Sequence, residues 1–540
     1  MNIPTRGAIV AAGLALALSL GACSTSQPAQ TSGGATSTAA TAGADWILGT
    51  TETITALDPA GAYDVASWNL QYSLFQQLVT IPAGASAEVG DAADSCSYGD
   101  AKTITCQLKP GLKFSNGNAL TSSDVKFSFA RNLAIADPNG ASVLFGNIGN
   151  GDVKAPALKD SAIETPDDTT VIFHLNNPDT TFVKALTTAA ASIVDEQTFP
   201  ADSLLADDKV VGSGPFSLAS FTKGQQAVLK ANPGYVGIRT PKSQQVFVQF
   251  YKDASPLRQA IENGEVDVAW RELSPTDYND LKAKGQVQVI DGQGSSFRYW
   301  VWQFSTDAGK QAAIRQAAAN LIDRDAIARN AYDGTVTPAY SIVPPTFAGA
   351  KESFKNAYPK PDVEAAKKVL ADAGVKTPVK LTLGYTPSHY GPNAVDEATE
   401  LMNQLNRSGL FQAKTASAEW TEYQTLYKQG AYDLFILGWY PDFLDADNYL
   451  SPFVVNGGFY KNNYSNAEVN KLVTAEQAET DTTKRAEILG QIQDVVAKDV
   501  PLIPSWFGKN VAVTSSKMNG VAETLDPTYI FRLWVISKTA

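Results

Sequence analysis

Along this chain, stretches in which apolar side chains recur at every second position are interleaved with stretches in which they recur every three or four. Residues 171–175, 245–251 and 379–385 show the first pattern and predict strands, whereas 363–373, 395–406 and 484–498 show the second and predict helices. The helix over 363–373 has end signals as well. Asp362 stands before Ala365, Ala366, Val369 and Leu370 as an N-cap, and Gly374 follows as a stop. Residues 432–437 (Tyr-Asp-Leu-Phe-Ile-Leu) are mostly apolar, too short for a typical helix and followed by Gly438, which predicts a buried strand delivering a loop at its end. Phe297, Tyr299, Trp300, Trp302 and Phe304 fall on both faces of a further strand and predict a wall that is partly core and partly cleft or hinge. Strands mixed with helices in this way predict an α/β architecture.

The chain has 540 residues, room for more than one folded body. Its 43 Lys and Arg against 55 Asp and Glu give a net charge of -12, a field that repels phosphate backbones and excludes nucleic acid as a natural partner. Two histidines and three cysteines offer no zinc cluster and no Cys–His nucleophile. Neither a repeat of fixed period nor a Gly-rich phosphate loop is present.

The N-terminus carries Arg6, an apolar stretch over 8–20, and then Leu20-Gly21-Ala22-Cys23. That is the layout of a secretory signal, and the stretch is shorter than the roughly 20 residues of a comfortable membrane span. The small residues before the cysteine resemble the bacterial lipobox, which implies cleavage after residue 22 and lipidation of Cys23. Residues 24–43 are nearly all Ser, Thr, Ala, Gly, Gln and Pro, so 23–43 reads as a flexible tether. A body tethered on the extracytoplasmic face of the cell membrane suits capture of something outside the cell. In that oxidising setting Cys96 and Cys106, ten positions apart around Tyr98-Gly99-Asp100, fit a disulfide closing a hairpin.

Several segments occur in an order that resembles the peptide/dipeptide/nickel group of extracellular solute-binding proteins, family 5, which serve ATP-driven importers. They begin with Leu57-Asp58-Pro59-Ala60. The block Leu108-Lys109-Pro110-Gly111-Leu112-Lys113-Phe114-Ser115-Asn116-Gly117 follows, with Leu120-Thr121 and Asp124-Val125 behind it. Gly212-Ser213-Gly214-Pro215-Phe216, Asn263-Gly264-Glu265-Val266-Asp267 and Ile322-Asp323-Arg324 come later. Read for themselves these are mostly scaffold: Gly111 and Gly117 suit tight turns, Asp124 suits the N-cap of a helix over 125–131, and Arg131 and Arg315 suit packing charges.

The resemblance sharpens at Gly438-Trp439-Tyr440-Pro441-Asp442. In peptide-binding relatives the acid three residues after the tryptophan pairs with the ligand's α-ammonium group, which here points to Asp442, with Trp439 and Tyr440 as aromatic walls. A carboxylate at a strand end, closed away from water, can accept charge-assisted hydrogen bonds from an ammonium group. Tyr464, in Asn462-Asn463-Tyr464-Ser465-Asn466, resembles a family residue near the cleft. Asp445, Asp447 and Asn448 lack the EF-hand spacing and read as turn formers and caps.

The resemblance implies a two-lobed, periplasmic-binding-protein type II-like fold of class C. Lobe 1 would span 44–294 and 503–540, with an extra subdomain over about 88–205, and lobe 2 would span 295–502. It implies a monomer without cofactor or resident metal and without catalysis, which captures short peptides or oligopeptides between closing lobes and presents them to ABC permease subunits. An oligosaccharide, haem or a nickel chelate is the alternative ligand on the same fold. An exported hydrolase using Asp442 and Asp445 as acid and base is the alternative from another class.

Overall fold

A computed structural model describes residues 43–539 apart from 272, 388 and 392. The expected signal peptide, Cys23 and all but the last residue of the tether lie outside the described residues.

Two sheets organise the chain, each with its own apolar core. The seven-stranded sheet has the order Gln288–Gly292, Asn510–Thr514, Val268–Trp270, Trp46–Thr50, Gln245–Phe250, Gln226–Ala231, Phe216–Thr222. The six-stranded sheet has the order Thr337–Pro338, Leu502–Phe507, Phe297–Trp302, Leu434–Trp439, Val379–Tyr385, Phe411–Ser417. Parallel and antiparallel pairs mix in both, with helices such as Val363–Asp372 and Ala394–Arg407 packed on the second. A four-stranded antiparallel sheet made of Ala93–Asp100, Thr103–Leu108, Thr170–His174 and Ile163–Asp167 joins the first core.

The chain passes from the first sheet to the second over 293–296 and returns over 508–509. The two passages lie side by side, for the Gly508 amide donates to the Ser296 carbonyl at 2.9 Å. The return comes later than the expected position 503, because Leu502–Phe507 pairs with Phe297–Trp302 inside the second sheet.

Local signals explain most elements. Asp362 accepts a hydrogen bond from the Ala365 amide and caps Val363–Asp372, and Gly374 beyond it has φ +66. Two expectations are corrected, and the expected disulfide is present. Asp124 is not the N-cap but the third residue of Ser122–Ile135: Thr121 caps the helix, and Asp124 Oδ2 accepts the Thr121 amide at 2.8 Å in a capping box. The hairpin turn falls at 101–102 rather than 98–100, since Asp100 Oδ1 accepts the Lys102 amide at 2.8 Å and forms the turn itself. Cys96 and Cys106 are bonded and stand opposite each other in register, with Cα atoms 4.1 Å apart.

All six side chains of Phe297–Trp302 are buried, and the strand follows directly on the passage at 293–296. Phe304, just beyond it, carries the Arg315 guanidinium at 4.5 Å over its ring. Arg131 is buried and paired with Asp58, with nitrogen–oxygen distances of 2.8 and 2.6 Å, which welds two of the sequence motifs together.

Candidate functional site

The strand Leu434–Trp439 runs between Phe297–Trp302 and Val379–Tyr385, and its apolar residues seat it in the second core. It starts two residues later than the sequence suggests. It also continues through Gly438, where a β-carbon would collide with the Arg298 guanidinium. Beyond Trp439 the chain turns into the space between the two cores, and Asn448 fixes that turn. Its Oδ1 accepts the Trp439 indole N–H at 3.1 Å and the Asp442 amide at 2.9 Å, while its Nδ2 donates to Asp442 Oδ2 at 2.9 Å. Asn448 therefore holds the turn and positions the acid at once.

Asp442 Oδ2 takes a second hydrogen bond, from the Tyr63 hydroxyl at 2.9 Å. Tyr63 lies between the Pro59–Gly61 turn and the helix Val65–Leu74 of the first lobe, stacked on Trp68 with ring centres 5.5 Å apart. No described residue donates to Oδ1 of Asp442. Burial pushes the half-buried carboxyl up to about 7, against the opposing pull of the Asn448 and Tyr63 hydrogen bonds. The site thus holds an acid whose charge is favoured once a cation meets its second oxygen.

Tyr440 borders an adjoining cleft of about 170 Å³ whose walls come from both lobes: Arg271, Tyr278 and Tyr529 on one side, Tyr390 and Trp506 on the other. The Arg271 guanidinium lies 4.6 Å over the Tyr440 ring and pairs with Glu52 at 2.8 Å, and Tyr529 meets that ring edge-on at 4.8 Å. Trp439 faces the core instead, with its ring perpendicular to Phe453 at 4.9 Å.

Asp445 and Asp447 are spent elsewhere. Asp445 takes two hydrogen bonds from Arg485, at 2.7 and 2.9 Å, and an ion pair from Lys184 of the first lobe at 3.2 Å. Burial works against its charge, but Arg485 and Lys184 hold the carboxyl below its ordinary value. Nearby, burial and then the Asp447 charge push Glu476 up to about 11, and burial also raises Asp447. Close by, the Thr180 amide donates to the Gln477 carbonyl at 2.9 Å, a further contact between the lobes. Tyr464 is not brought to Asp442: its ring packs on Phe304, and its hydroxyl donates to Asp499 at 2.8 Å inside the second core. Sequence reading missed Tyr63, Arg271 and Tyr390, for no local pattern marks residues that meet only across the cleft.

The profile of the bacterial extracellular solute-binding proteins, family 5 Middle, matches residues 89–461. The chain belongs to this family. Among relatives, the oligopeptide-binding protein OppA of Bacillus subtilis is 27% identical over 495 residues, covering 86% of this chain and 88% of that one. Heme-binding protein A of Haemophilus influenzae is 27% identical over 538 residues, covering 94% and 95%. Among solved structures, the dipeptide-binding protein of Pseudoalteromonas sp. SM9913 in complex with Met-Leu superposes with a TM-score of 0.79 at 21% identity, covering 92% of this chain and 100% of that one. The fold is the two-lobed α/β fold of this family, whose members are extracellular solute-binding proteins. None of the described helices is long and apolar enough to cross a membrane.

Proposed function

We propose that this protein captures short peptides between its two lobes and delivers them to the permease subunits of an ABC importer, with Asp442 receiving the peptide's α-ammonium group. The observation that carries this reading is the carboxyl itself. One oxygen is fixed by Tyr63 and Asn448, the other meets no described donor, and the group stands where the lobes meet. An ammonium at Oδ1 would stabilise the ionised form that burial disfavours, and backbone hydrogen bonds and aromatic burial would add the remaining affinity. Trp439 acts behind the site and Tyr440 beside it; Tyr464 serves the lobe interior. Asp445, the second acid of the hydrolase alternative, is consumed by Arg485 and Lys184, and this supports binding over hydrolysis. The protein works as a monomer anchored by lipid at Cys23 on the extracytoplasmic face of the membrane, a reading supported by the apolar stretch before that cysteine.

Native mass spectrometry of the purified full-length protein, before and after release of bound molecules, tests the ligand class. A set of adducts that sequence as short peptides is expected. A single haem, sugar or nickel-chelate adduct would contradict it.

A further inference from the structure

Between Trp439 and Ala446 the chain makes an excursion from one lobe into the other. Trp439 and Ala446 belong to the second core, whereas Phe443, only 7% exposed, belongs to the first, and Tyr440 packs against that first core as well. The loop of the second lobe is thus seated in its neighbour, and the burial of the Phe443 ring lasts only while the lobes are together. Polar contacts extend the seat. Phe182, Val183 and Ala185 turn into the first core and leave Lys184 outermost in that single helical turn. Its ammonium donates to the Leu444 carbonyl at 3.3 Å and pairs with Asp445 at 3.2 Å. Four residues earlier the Thr180 amide donates to the Gln477 carbonyl, and the Gln477 side-chain amide donates to Asp447 Oδ1 at 3.3 Å.

The division of partners at Asp445 makes these contacts releasable. Arg485, on the second lobe's own helix Thr482–Asp499, engages both oxygens of Asp445, at 2.7 and 2.9 Å. Withdrawal of Lys184 therefore leaves Asp445 paired within its lobe, and returns to water an ammonium whose side chain is already 27% exposed. No buried charge is stranded by opening, which is the condition under which an ion pair can be broken cheaply. The Arg131–Asp58 pair, with both side chains almost wholly buried inside the first lobe, has no such exit.

We propose that Phe443, Leu444 and Asp445 form a closure latch, a strap of the second lobe that grips Lys184 and the apolar core of the first and gives the protein a closed population without any ligand. Asp442 directly precedes the strap, so the acid of the site and the latch move as one piece. A ligand then draws on a closed state that already exists, and its apparent affinity carries the fraction of molecules in that state. The inference does not depend on which solute the cleft takes.

The Thr180 amide is a reporter of closure, because its acceptor lies in the other lobe. Hydrogen–deuterium exchange at that amide, read at single-residue resolution by mass spectrometry on the full-length protein stripped of bound molecules, tests the latch, with small-angle scattering as a measure of overall size. In the wild type the amide is expected to exchange at least about tenfold more slowly than an unprotected one. Lys184→Met and Phe443→Ala should each speed that exchange by about tenfold and enlarge the radius of gyration, whereas Lys184→Arg, which keeps the charge, should stay near the wild type. A Thr180 amide that is unprotected in the ligand-free wild type overturns the inference. Protection and size that stay unchanged in both Lys184→Met and Phe443→Ala also overturn it. The wild-type measurement decides even where a variant does not fold, and neither result bears on whether the cleft takes a peptide.

Discussion

Tyr63 and Asp442 stand 379 positions apart in the chain and meet across the lobes through a 2.9 Å hydrogen bond. The phenol is a committed donor, because burial and the neighbouring Asp442 charge raise its pKa well above the ordinary value. The bond therefore joins lobe closure to the state of the acid. Tyr63→Phe removes the donor and keeps the ring stacked on Trp68. Ligand affinity should fall about three- to tenfold, the worth of a net hydrogen bond of about 0.5–1.5 kcal/mol, with little change in thermal stability. Calorimetric titration checks the first and a melting curve the second.

Asp442 also sets a pH dependence. Its folded pKa of about 7 lies above the ordinary carboxylate value of 3.8, so between these values the folded protein keeps a proton that the unfolded chain releases. The stability this group contributes is full below about pH 4 and is lost as the pH rises through about 7. Binding of an ammonium needs the ionised form. Affinity should consequently increase by up to about tenfold per pH unit toward pH 7 and level off above it, with proton release on binding. Titration in buffers of different ionisation enthalpy measures that proton.

Asn448 serves three hydrogen bonds from one amide. Asn448→Leu has similar volume but leaves the Trp439 indole N–H and the Asp442 amide without their acceptor, a penalty of about 1–3 kcal/mol for a buried unpaired group. Reduced stability together with reduced ligand affinity is expected, since the loop that aims Asp442 loses its brace. A variant with unchanged affinity would show that Asp442 is positioned by other means.

Much of this arrangement was legible in the sequence where the cause is local. The cap at Asp362 and the apolar run into Trp439 depend on neighbours along the chain, whereas Asp442 stood out only through the family resemblance. What escaped is what depends on distant partners. Asn448 reads as a turn residue because its role exists only once Trp439 and Asp442 fold onto it. Asp445 reads as a turn former or cap until Lys184 and Arg485 arrive from elsewhere in the fold. Asp124 misleads in another way: a capping box spreads the cap over Thr121 and Asp124, and composition alone does not say which residue comes first.

The disulfide should matter for stability and not for binding. Cys96 and Cys106 close a loop of about ten residues in the four-stranded sheet, and the chain-entropy model gives such a crosslink about 2–3 kcal/mol. Replacing both cysteines by serine should lower the denaturation midpoint and leave the ligand Kd unchanged within twofold.

The most direct test of the central claim compares a short peptide bearing a free α-amine with its N-acetylated form, on wild type and on Asp442→Asn, at pH 7.5. The account predicts that the wild type prefers the free amine by tenfold or more and that Asp442→Asn loses this preference while still binding the acetylated form. Equal affinity of wild type for the two peptides, or a preference that persists in Asp442→Asn, would contradict the assignment of Asp442 as the amine anchor.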